Sequence, residues 1–173
     1  MNILPPTARR AVAFLTALIS SAGLVRAAAA PPAVELSVTH ADAPGAVKLV
    51  LGGTVADVYF DPADAKLVGI AAGLLADDVE RVTGRKPRGG NYPASLGPDA
   101  VIVGSIGHSA LVDRLVAEGK IDVSKVAGQW ETYQLQVVAR PLPGVARALV
   151  IVGSDRRGAA YGVFTLSESI GVS

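Results

Sequence analysis

The chain has no cysteine, two histidines, one tryptophan and one methionine in 173 residues. Without cysteine there is no disulfide staple, no thiolate metal ligand and no thiol nucleophile. His40 and His108 lie far apart in the sequence, so neither a zinc site nor a histidine-centred dyad can be assembled from sequence neighbours, and no metal or cofactor is expected. Aromatic residues make up 5% of the chain, too few for an aromatic platform. Trp130 and Tyr133 could stack on a sugar, but core or edge packing is the favoured reading for both. No block of like charge stands out. That excludes a basic nucleic-acid footprint and a polybasic patch for anionic membranes.

What is present begins with an export signal. Arg9 and Arg10 precede an apolar stretch from Ala11 to Val25, and small residues follow at Ala27 to Ala30. An apolar run of about 15 residues is shorter than the roughly 20 that span a bilayer. Residues 1–29 therefore read as a secretory signal peptide, cleaved before Ala30 by the small-x-small rule, with no membrane attachment afterwards. The expected location is secreted or periplasmic. The remaining stretch carries thirteen basic and fifteen acidic residues, a net charge of −2.

Residues 30–46, with Pro31, Pro32, Pro44 and Gly45, read as a linker. Residues 47–173 read as one α/β domain. Val47 to Leu51 and Val55 to Phe60 are short β-prone runs about Gly52-Gly53, which predicts a hairpin. A helix follows, with Asp61 as cap and Pro62 in the first position. Its apolar face is Val68, Ala71, Ala72, Leu75, Val79 and Val82, and Gly84 is the stop. Ala100 to Val103 predicts a strand buried on both faces. Leu111, Val112, Leu115 and Val116 predict a helix ending near Gly119. Thr132 to Ala139 alternates, so it reads as an antiparallel strand with a wetter side bearing Gln134 and Gln136. Ala148 to Val152 is another buried strand, and a last helix after Asp155 buries Ala159, Val163, Leu166 and Ile170. The expected order is β-β-α-β-α-β-β-α, a mixed sheet with helices packed on it.

Two turns share one form: buried strand, glycine turn, helix. They are Gly104-Ser105-Ile106-Gly107-His108-Ser109 and Gly153-Ser154-Asp155-Arg156-Arg157-Gly158. Such turns lie at the carboxyl ends of strands, where α/β folds place ligands. Gly107 to Leu111 approaches the Gly-x-Ser-x-Gly elbow of serine hydrolases, but Leu111 replaces the second glycine and no histidine follows His108. Ser109 is better read as the start of a helix. Gly153 to Gly158 has P-loop glycine spacing, yet Ala159-Ala160 replaces the Lys-Ser/Thr pair that holds phosphate and magnesium. Asp155 reads as a helix cap and Arg156-Arg157 as a solvated first turn, or else as a site where arginine meets a carboxylate. No pair of carboxylates is singled out for acid/base work; Asp77, Asp78 and Glu80 read as the wet face of a helix.

The stretch from Val150 to Ser173, the run Ile102-Val-Gly-Ser-Ile-Gly-His-Ser109 and the motif Gly128-Gln-Trp-Glu131 together resemble the N-terminal domain of glycoside hydrolase family 115, the xylan α-1,2-glucuronidases. The resemblance covers the expected domain. It implies that the parent enzyme removes glucuronic or 4-O-methylglucuronic acid side chains from xylan with inversion, using an acid and a base about 6.5–9.5 Å apart. In the family these carboxylates belong to a catalytic (β/α)₈ barrel that follows this domain, so no catalytic residue is expected in this chain. The barrel and glucuronoxylan are the implied partners. Ser105, His108, Ser154, Asp155 and Arg156 are expected at the substrate-cleft border or the domain interface, with Arg156 as a partner for the uronate carboxylate or an interface residue. The alternative is a freestanding exported module that binds glycan or protein.

Overall fold

The computed structural model describes residues 36–172; the expected signal peptide lies outside them. Residues 36–46 form no regular element, but Leu36 packs against the core and the Ala46 carbonyl accepts from Arg147 at 2.8 Å. The hairpin forms between β1 (Val50–Leu51) and β2 (Thr54–Val55), with Gly52-Gly53 as its two-residue turn. The run from Val55 to Phe60 is not one strand. Ala56 is fully buried and bonds back to Leu49, and the chain then enters the main sheet as β3 (Asp57–Phe60). The run Val-Ala-Asp-Val-Tyr-Phe contains no glycine or proline to mark such a change of partner.

The main sheet also contains β4 (Gly89–Gly90), β5 (Asp99–Ser105), β6 (Tyr133–Ala139) and β7 (Arg147–Gly153), in the spatial order β4-β3-β5-β7-β6. The first four strands in that order are parallel, and β6 runs antiparallel along β7. The architecture is thus a mixed sheet carrying three helices: α1 (Lys66–Thr83), α2 (Ala110–Ala117) and α3 (Arg156–Ser169).

The two faces of the sheet are filled separately. Val58, Val101, Val103, Leu149 and Ile151 pack under α1 and α3, against Val68, Leu75, Val79, Ala159, Val163 and Leu166. The alternate residues Tyr59, Ala100, Ile102, Ala148, Val150 and Val152 face α2 and the loops around Ile121 and Leu142. Strands buried on both sides need unbroken apolar sequence, which is what β5 and β7 have. Each fully buried Val or Ile contributes about 1.5–3 kcal/mol relative to exposure.

Three local expectations are corrected. Helix α1 starts at Lys66 with Ala65 at its cap position, not at Pro62, and no side chain caps it. Asp61 and Asp64 are buried and bond across the sheet instead, as described below. Val82 is 46% exposed, in the last turn of α1 beyond its last buried residue, Val79. In β6, Gln134 and Gln136 are half-buried: their amides donate to the carbonyls of Asp122 and Lys120, while Val137 stays exposed. The glutamine side is covered by the segment that follows α2.

The amino end of the sheet is closed by polar contacts. The buried Asp57 carboxylate accepts two bonds from Arg88 at 2.8 Å each and one from the Gly97 N–H at 2.7 Å. A two-pronged guanidinium contact of this kind matches carboxylate geometry.

Candidate functional site at the carboxyl end of the sheet

The helices after β3 and β5 pack on opposite faces, so the strand order reverses between these two strands. Folds of this class usually open a ligand crevice at that point. Here two carboxylates close it. Asp64 accepts from the Ser105 N–H at 2.7 Å and from the Ser105 hydroxyl at 2.5 Å. Asp61 accepts from Ala63 at 2.9 Å and from Ala110, the first residue of α2, at 2.8 Å. Both acids are buried and both are spent on backbone and hydroxyl donors. Ser105 is itself fully buried. It fixes the crossing and touches no solvent.

Beside the crossing lies an open cleft of about 470 Å³, lined by Phe60, Pro62, Lys66, Gly69, Ile70 and Asn91 as well as the two acids. Phe60, Pro62, Ala65 and Ile70 give it apolar lining, and Lys66 and Asn91 add polar side chains.

The second expected turn is more exposed. β7 ends at Gly153, and α3 begins so close that a Cβ on Gly153 would stand 2.1 Å from the Ala159 nitrogen. Asp155 caps the helix, its Oδ1 accepting from Arg157 and Gly158 at 2.8 and 2.9 Å. Its Oδ2 accepts from the Glu131 N–H at 2.9 Å. These donors, Gly158 foremost, hold the Asp155 carboxyl below the ordinary aspartate range against the opposing effect of burial. The Ser154 hydroxyl accepts from Thr132 at 3.0 Å, and the Thr132 carbonyl accepts from Ser154 at 2.8 Å. Gly158 is pressed against that same carbonyl, which a Cβ would approach to 2.3 Å.

Ser154 and Asp155 are therefore brought together with Glu131 and Thr132, a grouping the sequence motifs show only as separate pieces, and Arg156 follows directly in the chain. Ser105 joins the same rim indirectly, since the Ile106 N–H donates to the Gly153 carbonyl at 3.0 Å. His108 is exposed on the α2 turn. Arg156 is exposed, and among the described residues its side chain makes no hydrogen bond or ion pair. Arg157 is not simply solvated: it pairs with Glu131 at 2.5 Å, which raises its pKa. Tyr161 donates to the other Glu131 oxygen at 3.4 Å.

The packing role expected for Trp130 is overturned. The indole is 79% exposed. Tyr133 does pack, bonding Thr165 at 2.7 Å and lying against Gly162. Period-two alternation places Tyr133 on a strand, whereas Trp130 sits in a loop where no periodicity speaks. Ser109 is fully buried and caps α2 by accepting from Val112 at 3.4 Å. Among the described residues, no group of three or more His, Asp or Glu could hold a metal ion, and no helix is long and apolar enough to cross a membrane.

No family model and no curated protein matches the chain. Among solved structures it is similar to BtGH115A, a family GH115 4-O-methyl-α-glucuronidase with specificity for decorated arabinogalactans. That likeness has a TM-score of 0.51 at 28% sequence identity, and covers 68% of this chain. The chain spans only 14% of that protein's length.

Proposed function

We propose that the chain is the front, non-catalytic domain of an exported glycoside hydrolase that removes glucuronic or 4-O-methylglucuronic acid side chains from a plant polysaccharide. The observation that carries this reading is the likeness to a 4-O-methyl-α-glucuronidase, confined to 14% of that protein. The state of the buried acids agrees with a supporting role. Asp57, Asp61, Asp64 and Asp155 are each bonded to two or more donors, which gives these four carboxylates a role in fastening the fold. A catalytic acid or base needs a free lone pair or proton within reach of substrate.

On this reading a catalytic barrel in the same polypeptide supplies the acid and the base. His108 and Arg156 stand at the rim of its cleft or at the interface, with Ser105, Ser154 and Asp155 holding the rim in place. Xylan is the expected substrate, in the periplasm or outside the cell. The test is to read the coding sequence beyond codon 173 and assay both products. The extended polypeptide releases glucuronic acid from glucuronoxylan or from decorated arabinogalactan, and residues 30–173 alone release none. Release by the short chain, or an extended polypeptide inert on both, overturns the reading. A second reading, a freestanding module that binds glycan, is favoured by the exposed Trp130; a stop codon directly after Ser173 would select it.

A further inference from the structure

Isolated exposed apolar residues are ordinary on protein surfaces. Trp130 differs in how its backbone is held. The Gln129 N–H bonds to Val126 at 3.1 Å, and the Trp130 carbonyl accepts from the Thr132 hydroxyl at 3.1 Å. The next residue, Glu131, is fixed by Asp155, and Thr132 is fixed twice by Ser154. Glu131 also sits in the left-handed region at φ 51° without being glycine, which costs on the order of 1 kcal/mol and is tolerated only where surroundings enforce it. A loop strained at Glu131 and fastened on both sides of Trp130 thus holds the chain's one tryptophan in water.

The residues around it have a definite chemistry. The Glu131–Asp155 contact sets two backbones side by side. Trp130 precedes one partner and Arg156 follows the other. Glu131 is paired with Arg157 and accepts a hydrogen bond from Tyr161, and Asp155 is taken up by three N–H groups. Of the charged groups at this contact, Arg156 is the one whose side chain makes no hydrogen bond or ion pair among the described residues. An indole face stacks on the C–H face of a pyranose ring, and a free guanidinium binds a carboxylate with two parallel bonds.

We infer that Trp130 and Arg156 form a binding site for a sugar bearing a carboxylate, a glucuronosyl unit of a polysaccharide, with Trp130 stacking on a ring and Arg156 taking the carboxylate. This rests on the reading of the chain as part of a glucuronic-acid-processing protein. It adds a site that holds the polymer without cleaving it. The fixed loop loses little freedom on binding, which favours affinity from a small contact.

The single tryptophan makes the test direct, since all indole fluorescence of the 173-residue chain comes from Trp130. The probes are a xylo-oligosaccharide carrying 4-O-methylglucuronic acid, a galacto-oligosaccharide carrying glucuronic acid, and the neutral forms of both. A saturable change in emission is expected with one or both acidic probes, and the preferred backbone identifies the polymer. The neutral forms bind about tenfold more weakly, and Arg156→Gln brings the acidic probes down to that level. Calorimetry on Trp130→Ala shows roughly thirtyfold loss with an unchanged circular dichroism spectrum, and Trp130→Phe restores part of it. No emission change with any probe, or equal response to acidic and neutral forms, overturns the proposal. Binding of the acidic probes that Trp130→Ala and Arg156→Gln both leave unchanged also overturns it. Hydrolysis by the extended protein is measured separately, so failure of this site leaves the enzymatic reading standing, and the reverse holds too.

Discussion

The Asp64 carboxylate holds Ser105 by both its backbone N–H and its hydroxyl, at 2.7 and 2.5 Å, across the boundary where the strand order reverses. It also accepts from Ala65 at 2.7 Å. Asp64→Ala leaves the buried Ser105 donors without partners, and each orphaned group costs about 1–3 kcal/mol. A loss of roughly 3 kcal/mol is expected in urea unfolding. Asp64→Asn should lose less, because one oxygen still accepts. If the alanine variant unfolds at the parent midpoint, the bond pair does not hold the crossing.

Two glycines should respond to alanine in opposite directions. Gly73 lies in α1, and a Cβ placed there would have no neighbour within 4 Å, so Gly73→Ala should stabilise by about 1 kcal/mol through helix propensity. At Gly153 the same methyl would meet backbone at 2.1 Å. Gly153→Ala must push α3 away from β7 and should cost about 3 kcal/mol or more. Thermal melting of the two variants side by side checks both signs.

Asp155 gives the fold a pH dependence of definite sign. Its carboxyl is depressed by the Gly158 N–H first, then by those of Glu131 and Arg157 and by the Arg157 charge, with burial opposing. A folded value below the unfolded one means that the unfolded chain binds more protons, so stability rises with pH. The contribution is complete above the ordinary value of 3.8 and disappears as pH falls through the depressed one. Denaturation midpoints between about pH 5 and pH 2 should fall less steeply in Asp155→Asn than in the parent. Parallel slopes would remove Asp155 as a source of the dependence.

Periodicity carries most of the fold. The apolar steps from Val68 to Val79 and the β-branched runs of β5 and β7 place themselves, because burial on two faces leaves no room for polar residues. The short edge strand Gly89–Gly90 has no side chains to pattern, so nothing in the sequence announces it. The start of α1 misleads for a different reason. Asp61 and Pro62 are good starting residues locally, but Asp61 forms a bond to Ala110, 49 positions away, that no local rule contains. At the candidate site, Asp155 is legible as a cap from its place before a helix. Its third bond, to Glu131, and the exposure of Trp130 depend on where β6 enters the sheet.

That entry is set by strand direction. Because β6 runs against β7, its first residue, Tyr133, lies opposite Gly153, the last of β7. The connection from α2 therefore arrives at the same rim as the glycine turns. A parallel strand in that slot would begin beside Arg147 and leave the connection at the far rim. One reversed strand thus delivers the end of the 118–131 connection, Trp130 and Glu131, to the rim formed by the turn after β7, while its buried residues Ile121 and Val126 stay with the core.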